Sequence, residues 1–289
     1  MIERKVMTKK FAMALEGGGM RGMYTAGVLD ALMNMNIYAD ATVGVSAGAV
    51  FGCNYKSRQI GRTIRYNTAY CKDRRYASMK NWVKTGSVYD PEFAYEKIPN
   101  ELDVFDRATF KESPMRFTVV CTDMEKGTPA YFDCTEGGRR DLELMRASAA
   151  VPVALSAVEV EGRRFVDGGI TDAVPYRRAL SYGYEKTVVI LTQPRGYIKE
   201  PNKLMPFLKR YYKDYPMLVR ALEERHNMYN RQREELALLE EEGKIFVIRP
   251  SESVALPVVE RDEKRLKRIY SIGCEDMKKE LDRLKKYLA

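Results

Sequence analysis

Histidine is almost absent from this sequence, which contains a single one, His226, among 289 residues. Cysteine is also scarce, and its five widely scattered residues form no C-x-x-C pair: Cys53, Cys71, Cys121, Cys134 and Cys274. Zinc sites need clusters of these two residue types, and disulfide frameworks need an even set of cysteines. The composition therefore argues against both kinds of site, and we expect reduced thiols and no bound metal.

Long hydrophobic runs are missing as well. No apolar stretch approaches the roughly 20 residues that a helix needs to span a bilayer. The first ten residues carry positive charge, but the apolar run at 11–15 is too short to be the core of a secretory signal. Charged residues make up 31% of the chain, and the mean hydropathy is −0.42. These properties predict a globular, cytoplasmic protein.

Acidic residues are outnumbered, because 49 Lys and Arg face 40 Asp and Glu and give a net charge of +9. A basic excess suits a nucleic acid, an anionic membrane surface, or simply a solvated basic face. The net charge does not choose among these three. Aromatic and basic residues are mixed over residues 207–213, a composition that suggests peripheral contact with an anionic lipid surface.

Glycine, in contrast, is concentrated at two points where a predicted strand gives way to a predicted helix. A first apolar run at 10–15 precedes a glycine loop at 17–22, and apolar residues then recur at helical spacing from residue 23. A second run at 41–45 leads into Gly44-x-Ser46-x-Gly48 and another helix. Two such units predict a three-layer α/β/α sandwich with a mostly parallel central sheet, whose sites lie at the carboxyl ends of the strands.

The rest of the chain continues this alternation. Further strands are predicted at 115–122, 129–132, 187–191 and 244–248, with a hairpin at 158–166. Helices are predicted at 58–84, from 90, at 139–150, from 175, at 200–242 and at 260–288. Because the composition changes after residue 194, we expect one domain at 10–195. A charged, mainly helical C-terminal extension at 196–289 would pack on it.

The spacing around Ser46 makes this residue a candidate nucleophile. A strand-to-helix turn this sharp has no room for side chains beside the serine, and glycine flanks it on both sides. The first N–H groups of the following helix have no backbone partners and favour negative charge nearby. A serine hydroxyl is barely ionised at neutral pH, so this chemistry also requires a base.

The glycine loop has three interpretations. Gly17-x-Gly19-x-x-Gly22 matches the dinucleotide fingerprint, with Asp40 as a candidate ribose-binding acid. That acid should follow the second strand, however, and Asp40 precedes it. Successive glycines also let backbone N–H groups converge on one point, as the oxyanion hole of an acyl transferase requires. A purely structural turn is the third interpretation, and the loop alone leaves all three open.

Two residues are candidate bases for Ser46. The order Ser46, Asp167, His226 matches that of α/β-hydrolase triads, but His226 lies in a highly charged helical run rather than on a loop. Asp167 follows the predicted hairpin and precedes two glycines, a context that also suits a turn acid capping its own backbone. A free carboxylate is a weak base with a pKa near ~3.9, yet it can take the proton in a dry site beside a stabilised oxyanion.

Taken together, these motifs resemble the patatin-like phospholipase family. The resemblance is carried by Gly17-Gly18-Gly19-Met20-Arg21-Gly22, Gly44-Val45-Ser46-Ala47-Gly48 and Asp167-Gly168-Gly169, in that order. The small residues at 147–152 resemble the segment that precedes the aspartate in that family, and the similarity covers residues 10–195. It implies a dyad without histidine, in which Ser46 is the nucleophile and Asp167 the general base. It also implies an oxyanion-hole loop formed by Gly17, Gly18 and Gly19 and supported by Arg21.

The resemblance further implies a lipid acyl hydrolase that works through a serine acyl-enzyme without metal or cofactor. Its partner would be a lipid or another ester, and no nucleic acid. Two alternatives remain at this stage. One is an oxidoreductase that binds a dinucleotide through Gly17, Gly19 and Gly22, and the other is a catalytically silent lipid-binding or regulatory protein on the same scaffold. The sequence does not specify the substrate, the chain-length preference or the oligomeric state.

Overall fold

A computed structural model describes residues 9–257 and 259–289. The expectation that the N-terminus carries no secretory signal rests largely on residues 1–8, which lie outside the described residues.

Eight strands form one mixed sheet: β1 (Phe11–Leu15), β2 (Ala41–Val45), β3 (Arg116–Asp123), β4 (Pro129–Asp133), β5 (Val158–Val160), β6 (Arg163–Asp167), β7 (Lys186–Ile190) and β8 (Phe246–Ile248). The strands follow the order β5-β6-β3-β2-β1-β7-β8, and β4 also pairs with β3. The five strands β3, β2, β1, β7 and β8 are mutually parallel, whereas β4, β5 and β6 pair antiparallel.

Ten α-helices connect these strands: α1 (Gly22–Asn34), α2 (Ala47–Lys56), α3 (Arg62–Tyr70), α4 (Met79–Thr85), α5 (Arg107–Glu112), α6 (Arg139–Ser148), α7 (Tyr176–Leu180), α8 (Met205–Tyr211), α9 (Pro216–Glu241) and α10 (Glu263–Leu288). A π-helical segment covers Phe93–Leu102, and short 3₁₀ turns cover Gly19–Arg21 and Gly168–Ile170.

The sequence of β1 shows how the layers are built, because every one of its residues is buried. Phe11, Met13 and Leu15 share a core with α1, α2, α3 and α10. Ala12 and Ala14 face the other way, into a core shared with α7 and α9. A central strand buried on both faces is typical of a parallel sheet with helices on both sides. The predicted three-layer α/β/α sandwich with a helical C-terminal region is confirmed.

The C-terminal helix α10 packs unusually close to α1. A Cβ atom on Gly27 of α1 would lie 2.0 Å from the carbonyl oxygen of Tyr270, and one on Gly273 of α10 would lie 2.2 Å from that of Tyr24. Glycine at both positions lets the two backbones touch. On the same side, β8 adds to the sheet beside β7. The domain division near residue 195 stays a prediction, and the segment beyond it shares the sheet and the core.

Three helix predictions differ from the structure. The helical pattern at 200–242 is divided into α8 and α9 by residues 212–215. The helical pattern at 58–84 is broken into α3 and α4, because residues 71–78 form turns that carry Tyr76 into an aromatic cluster with Tyr89 and Phe93. Ser78 then starts a new helix, its Oγ accepting the N–H of Asn81 at 3.1 Å. The short helix expected from residue 90 is the π-helical segment, which contains Pro99.

Candidate active site

Ser46 occupies the turn between β2 and α2, and its backbone has φ 55° and ψ −122°. A positive φ is strained for a residue with a side chain, so the surroundings must hold it in place. The flanking glycines let neighbouring backbone segments pack closely against the turn. A Cβ on Gly44 would lie 2.4 Å from the carbonyl oxygen of Gly48, and one on Gly48 would lie 2.6 Å from that of Leu15. The elbow expected from the G-x-S-x-G spacing is present.

Strand pairing brings Asp167 to this elbow. Along one edge of β3, β2 pairs with residues 116–120, so that Val45 lies opposite Val120. Where β2 stops, β6 continues along the same edge in the opposite direction, and Asp167 lies opposite Cys121. The two chains therefore meet end to end. The Ser46 hydroxyl donates a hydrogen bond to Oδ2 of Asp167 at 2.7 Å.

A third side chain fixes the backbone of the elbow. The Ser46 N–H donates to Oγ of Ser148 at 2.8 Å, and that hydroxyl donates in turn to the Val120 carbonyl at 2.5 Å. Ser148 is the last residue of α6 and is fully buried. It therefore ties the strained turn both to α6 and to the central strand β3.

The glycine loop passes directly over the elbow, where a Cβ on Gly17 would lie 3.2 Å from that of Ser46. The Gly17 N–H donates to the Ala173 carbonyl at 3.2 Å. Across residues 9–257 and 259–289, no hydrogen-bond acceptor is found for the N–H groups of Gly18 or Gly19. These two N–H groups therefore have no protein acceptor within the described residues, and Gly19 lines a cavity beside Ser46.

Arg21 lies near the end of the glycine loop, as the last residue of the 3₁₀ turn Gly19–Arg21. Its backbone N–H donates to the Gly18 carbonyl at 3.2 Å, which closes the loop. Its side-chain Nε is buried and has no hydrogen-bond partner within the described part of the chain. The structure therefore places Arg21 beside the loop, where its backbone supports the loop conformation.

Buried polar groups also hold the start of the glycine loop in place. Glu16, the residue before the first glycine, accepts the Thr192 N–H at 2.6 Å and the Tyr229 hydroxyl at 2.7 Å. Thr192 also donates its own hydroxyl to the Gly17 carbonyl at 3.1 Å. Burial raises the pKa of Glu16, and the Thr192 N–H bond and the charge of Arg233 offset part of that rise.

The electrostatics of Asp167 follow from its burial. Loss of solvent raises its pKa, while the Arg225 charge and the Ser46 hydroxyl offset part of that rise. Its Oδ1 accepts the Gly169 N–H at 2.8 Å, so both carboxylate oxygens have partners. Arg225 of α9 donates its Nε–H to the Gly169 carbonyl at 2.8 Å, and so bonds the same residue whose N–H bonds Asp167.

Lys199 adds a second cationic group to this region. Its ammonium lies over the Tyr229 ring, 5.3 Å from the centroid. Burial and the neighbouring charges of Arg225 and Arg21 lower the pKa of Lys199 to about 8, despite the opposing influence of Glu16 and Asp167.

The two competing assignments from the sequence lie away from this arrangement. Nδ1 of His226 is 3.0 Å from the Glu223 carbonyl of its own helix, and no hydrogen bond joins His226 to Ser46 or Asp167 in residues 9–257 and 259–289. Asp40 accepts the Phe11 N–H at 2.9 Å, which places it at the amino ends of β1 and β2. Asp40 therefore lies at the opposite end of the strands from the glycine loop, too far round to bind a ribose beside that loop.

A cavity of about 140 Å³ opens beside Ser46 and Gly19. Its walls are mostly apolar and aromatic, with contributions from α2, α3, α6 and the π-helical segment. Val50, Phe51 and Met145 are among the lining residues. Apolar pockets with a few polar groups at one end are typical of sites for small organic ligands.

Comparison with known families assigns the chain. The model of the patatin-like phospholipase family matches residues 13–180, which is more than half of the sequence. The chain belongs to the patatin-like phospholipase family. The matched range contains the glycine loop, Ser46 and Asp167. A second model, described as a domain of unknown function (DUF6363), matches residues 215–289, which include α9 and α10.

Individual relatives extend the comparison of this patatin-like chain. It is 33% identical over 195 residues to the Escherichia coli protein YjjU, covering 64% of this chain and 52% of that protein. An NTE family protein of Mycobacterium tuberculosis is 24% identical over 181 residues, covering 63% of this chain and 48% of the relative. The chain thus spans about half the length of the curated relatives it matches. VipD from Legionella pneumophila aligns in three dimensions with a TM-score of 0.47 and 14% identity, over 95% of this chain and 67% of VipD.

Sequence reasoning missed several residues of this patatin-like site: Glu16, Ser148, Thr192, Arg225 and Tyr229. Their hydrogen-bond partners are 28 to 213 positions away along the chain, so no local spacing connects them. Glu16 left a signal, because a charged residue directly after a buried strand and before a glycine loop must find partners inside the protein. Ser148 lies in the small-residue segment 147–152, but that segment did not indicate its hydrogen bonds.

Proposed function

We propose that this protein is a lipid acyl hydrolase that cleaves carboxylic esters with a Ser46–Asp167 dyad. The observation that carries the proposal is the 2.7 Å hydrogen bond between the Ser46 hydroxyl and the buried carboxylate of Asp167. Membership of the patatin-like phospholipase family supports a lipid ester as the substrate class. The substrate would come from an anionic membrane surface, to which a cytoplasmic protein binds peripherally.

In the proposed first half-reaction, Oγ of Ser46 attacks the ester carbonyl carbon while its proton passes to Asp167. The carbonyl oxygen becomes negative and accepts hydrogen bonds from the Gly18 and Gly19 N–H groups. Losing one such donor typically costs about 2.7–4 kcal/mol of transition-state stabilisation. The tetrahedral intermediate then expels the alcohol, which takes the proton from Asp167, and the acyl group stays on Ser46.

In the second half-reaction, Asp167 accepts a proton from water as the water oxygen attacks the acyl-enzyme. The intermediate collapses to the free fatty acid, and Ser46 Oγ recovers its proton from Asp167. The apolar cavity beside Ser46 would hold the acyl chain through both half-reactions, because its mostly apolar lining suits a hydrocarbon chain and offers few partners to a polar group.

Covalent labelling by a fluorophosphonate tests the proposal. The wild-type protein should be labelled and the Ser46→Ala variant should not. His226→Ala should keep full labelling and turnover, because His226 contacts its own helix. A well-folded wild-type protein that stays unlabelled would contradict the hydrolase and favour a silent scaffold. An inactive but folded His226→Ala variant would contradict the dyad.

A substrate panel of phospholipids, lysophospholipids, acylglycerols and short-chain esters, with Ser46→Ala as the blank, would identify the ester. We also propose that residues 10–195 form the catalytic domain and that residues 196–289 form an extension packed on it. The two family models, at 13–180 and 215–289, support that division.

A further inference from the structure

Helix α4 exposes apolar side chains to solvent. Met79 and Val83 are 66% and 78% exposed, and Trp82 is 38% exposed. None of the α4 residues is buried. An apolar helix face in a folded protein normally packs on something, so this face is available to a partner.

Helix α8 and the residue before it expose a second group of the same kind. Leu204, Phe207 and Tyr211 are each at least half exposed, and the rings of Phe207 and Tyr211 stack with centroids 5.8 Å apart. Only Leu208 of this helix is buried.

The two helices meet at the loop formed by residues 151–156. The Trp82 indole N–H donates to the Val153 carbonyl at 2.6 Å, and the Val153 side chain packs on the cluster that contains Leu208. Val153 has φ 70°, which is strained for a β-branched residue. Strained backbone of this kind tends to occur at functional sites.

The same loop forms part of the cavity wall. Val151 and Leu155 line the cavity, and the Ser156 N–H donates to Oγ of Ser87, another lining residue, at 3.0 Å. One loop therefore contacts α4 and the cluster that contains Leu208, and also lines the cavity beside Ser46.

Both helices and their flanking residues are rich in basic residues. Helix α4 carries Lys80 and Lys84 and no acidic residue. The four basic residues Lys203, Lys209, Arg210 and Lys213 fall within residues 203–213, again without an acid. One of them, Lys209, forms an ion pair with Glu223 at 2.6 Å.

We propose that the exposed faces of α4 and α8, with the Val153 loop between them, form one docking surface for an anionic lipid bilayer. Aromatic and aliphatic side chains ringed by lysine and arginine are typical of helices that lie in the membrane interface. Each basic residue near an anionic leaflet adds about tenfold or less to binding. Lysine is depleted in protein–protein interfaces, which argues against a protein occupant. The inference rests on the proposed function, because it names where a lipid would reach the cavity.

The chain contains its own probe for this surface, because Trp82 is its only tryptophan. We would titrate the Ser46→Ala protein, which cannot hydrolyse lipid, with vesicles of phosphatidylcholine alone or mixed with phosphatidylglycerol. Trp82 emission should shift to the blue with the anionic vesicles, and high salt should reverse the shift. A folded protein whose emission changes with neither vesicle would overturn the proposal.

Substitutions locate the surface. Val83→Glu and Phe207→Glu should each weaken co-sedimentation with anionic vesicles by roughly tenfold or more, since each removes a side chain from the lipid. The matched control is Leu238→Glu, which makes the same charge change at a 60% exposed position of α9. Leu238 lies roughly 33 Å along the helix axis from residue 216, where α9 begins. Equal weakening by all three variants would mean non-specific attraction and overturn the proposal.

Two further measurements distinguish a lipid-docking surface from a dimer interface, and distinguish its failure from that of the proposed function. If Val83→Glu turned a dimer into a monomer in size-exclusion chromatography without affecting vesicle binding, a second copy would be the occupant and the lipid surface would be wrong. If Val83→Glu kept fluorophosphonate labelling and soluble-ester turnover but lost vesicle binding, both proposals would be supported. A wild-type protein that binds vesicles but resists labelling would contradict the proposed function alone.

Discussion

Asp167 has two partners for its two carboxylate oxygens, the Ser46 hydroxyl and the Gly169 N–H, and its side chain is almost wholly buried. Burial disfavours the charged carboxylate and raises its pKa. A carboxylate with a raised pKa is a stronger base than a free aspartate. Burial therefore makes Asp167 a stronger base, and it also makes the ionised carboxylate destabilise the folded state.

Asp167→Asn should accordingly lose activity and gain stability. Asparagine keeps the shape and can accept the Gly169 N–H at its oxygen while its NH₂ donates to the Ser46 hydroxyl oxygen, but it cannot accept the serine proton, so soluble-ester turnover should fall by roughly 10²–10⁴-fold. Since the folded pKa of Asp167 is raised, the wild-type protein loses stability as the pH rises through that pKa. The melting temperature of the variant should exceed that of the wild type at neutral pH, and the gap should close in acid.

Thermal melts of both proteins from acid to neutral pH measure that gap. A variant that is less stable than the wild type at neutral pH would show that the charged carboxylate stabilises the fold, contrary to the raised pKa. Ser46→Ala serves as the control, because it removes catalysis without removing the charge.

The sequence predicted Ser46 and Asp167 because glycines mark both positions, and a glycine-flanked turn has a local geometric cause. Ser148 and Tyr229 had no such mark. Their hydrogen bonds depend on how α6 and α9 pack against the sheet, and that packing arises from contacts spread over the whole chain. The sequence therefore predicted which two residues lie together at the elbow, but not the side chains that support them.

At the scale of whole elements, α9 provides the side chains that hold the site from outside the matched patatin-like range. Arg225 bonds the Gly169 carbonyl, Tyr229 bonds Glu16, and Gln232 bonds Asp172 at 2.7 Å. Arg225, Tyr229 and Gln232 are spaced by four and three positions, so they share one face of the helix. The long charged helix thus contacts both the Asp167 turn and the start of the glycine loop.

Arg225→Gln should shift the pH dependence of the reaction. The arginine charge lowers the pKa of Asp167, so its removal should raise that pKa and move the acid limb of kcat/KM to higher pH. Arg225→Lys should restore most of the original profile. Arg220→Gln is the matched control, since Arg220 is exposed on the same helix. An unchanged acid limb with reduced kcat would mean that Arg225 acts only through packing.

The close contact between α1 and α10 predicts that a larger residue at Gly27 lowers the free energy of unfolding. Gly27→Ala would place a methyl group 2.0 Å from the Tyr270 carbonyl oxygen, so the helices must separate. Overpacking of this kind typically costs 1–3 kcal/mol, measurable by urea unfolding. Gly138→Ala, where a Cβ meets nothing within 4 Å and φ is −81°, should change stability by only about 0.5 kcal/mol. Equal effects would contradict the close helix contact.

Element predictions succeeded where the apolar pattern was regular. The strand predicted at 41–45 is β2 itself, and the helix at 139–150 is α6 with two residues fewer. They failed at 58–84, where a helical pattern hides the turn that buries Tyr76 against Phe93. No local rule gives that turn, since the aromatic partners lie further along the chain.

At the scale of the whole molecule, the first and last parts of the chain depend on each other. Helix α10 covers α1, β8 extends the sheet beyond β7, and α9 anchors the site. A chain truncated after residue 195 should therefore lose fluorophosphonate labelling and cooperative thermal unfolding, because β7 becomes an edge strand and part of the core is uncovered. A truncated protein that melts cooperatively and is labelled would show that residues 10–195 suffice.

The reach of α9 back to Gly169 and Glu16 has a consequence for biosynthesis. When residue 195 leaves the ribosome, Ser46 and Asp167 have already been made, but Arg225 and Tyr229 have not. Contacts across such sequence separations form late, after the chain that carries them is available. Under the proposed function, the nascent polypeptide would therefore be inert towards ester bonds until α9 has emerged and docked.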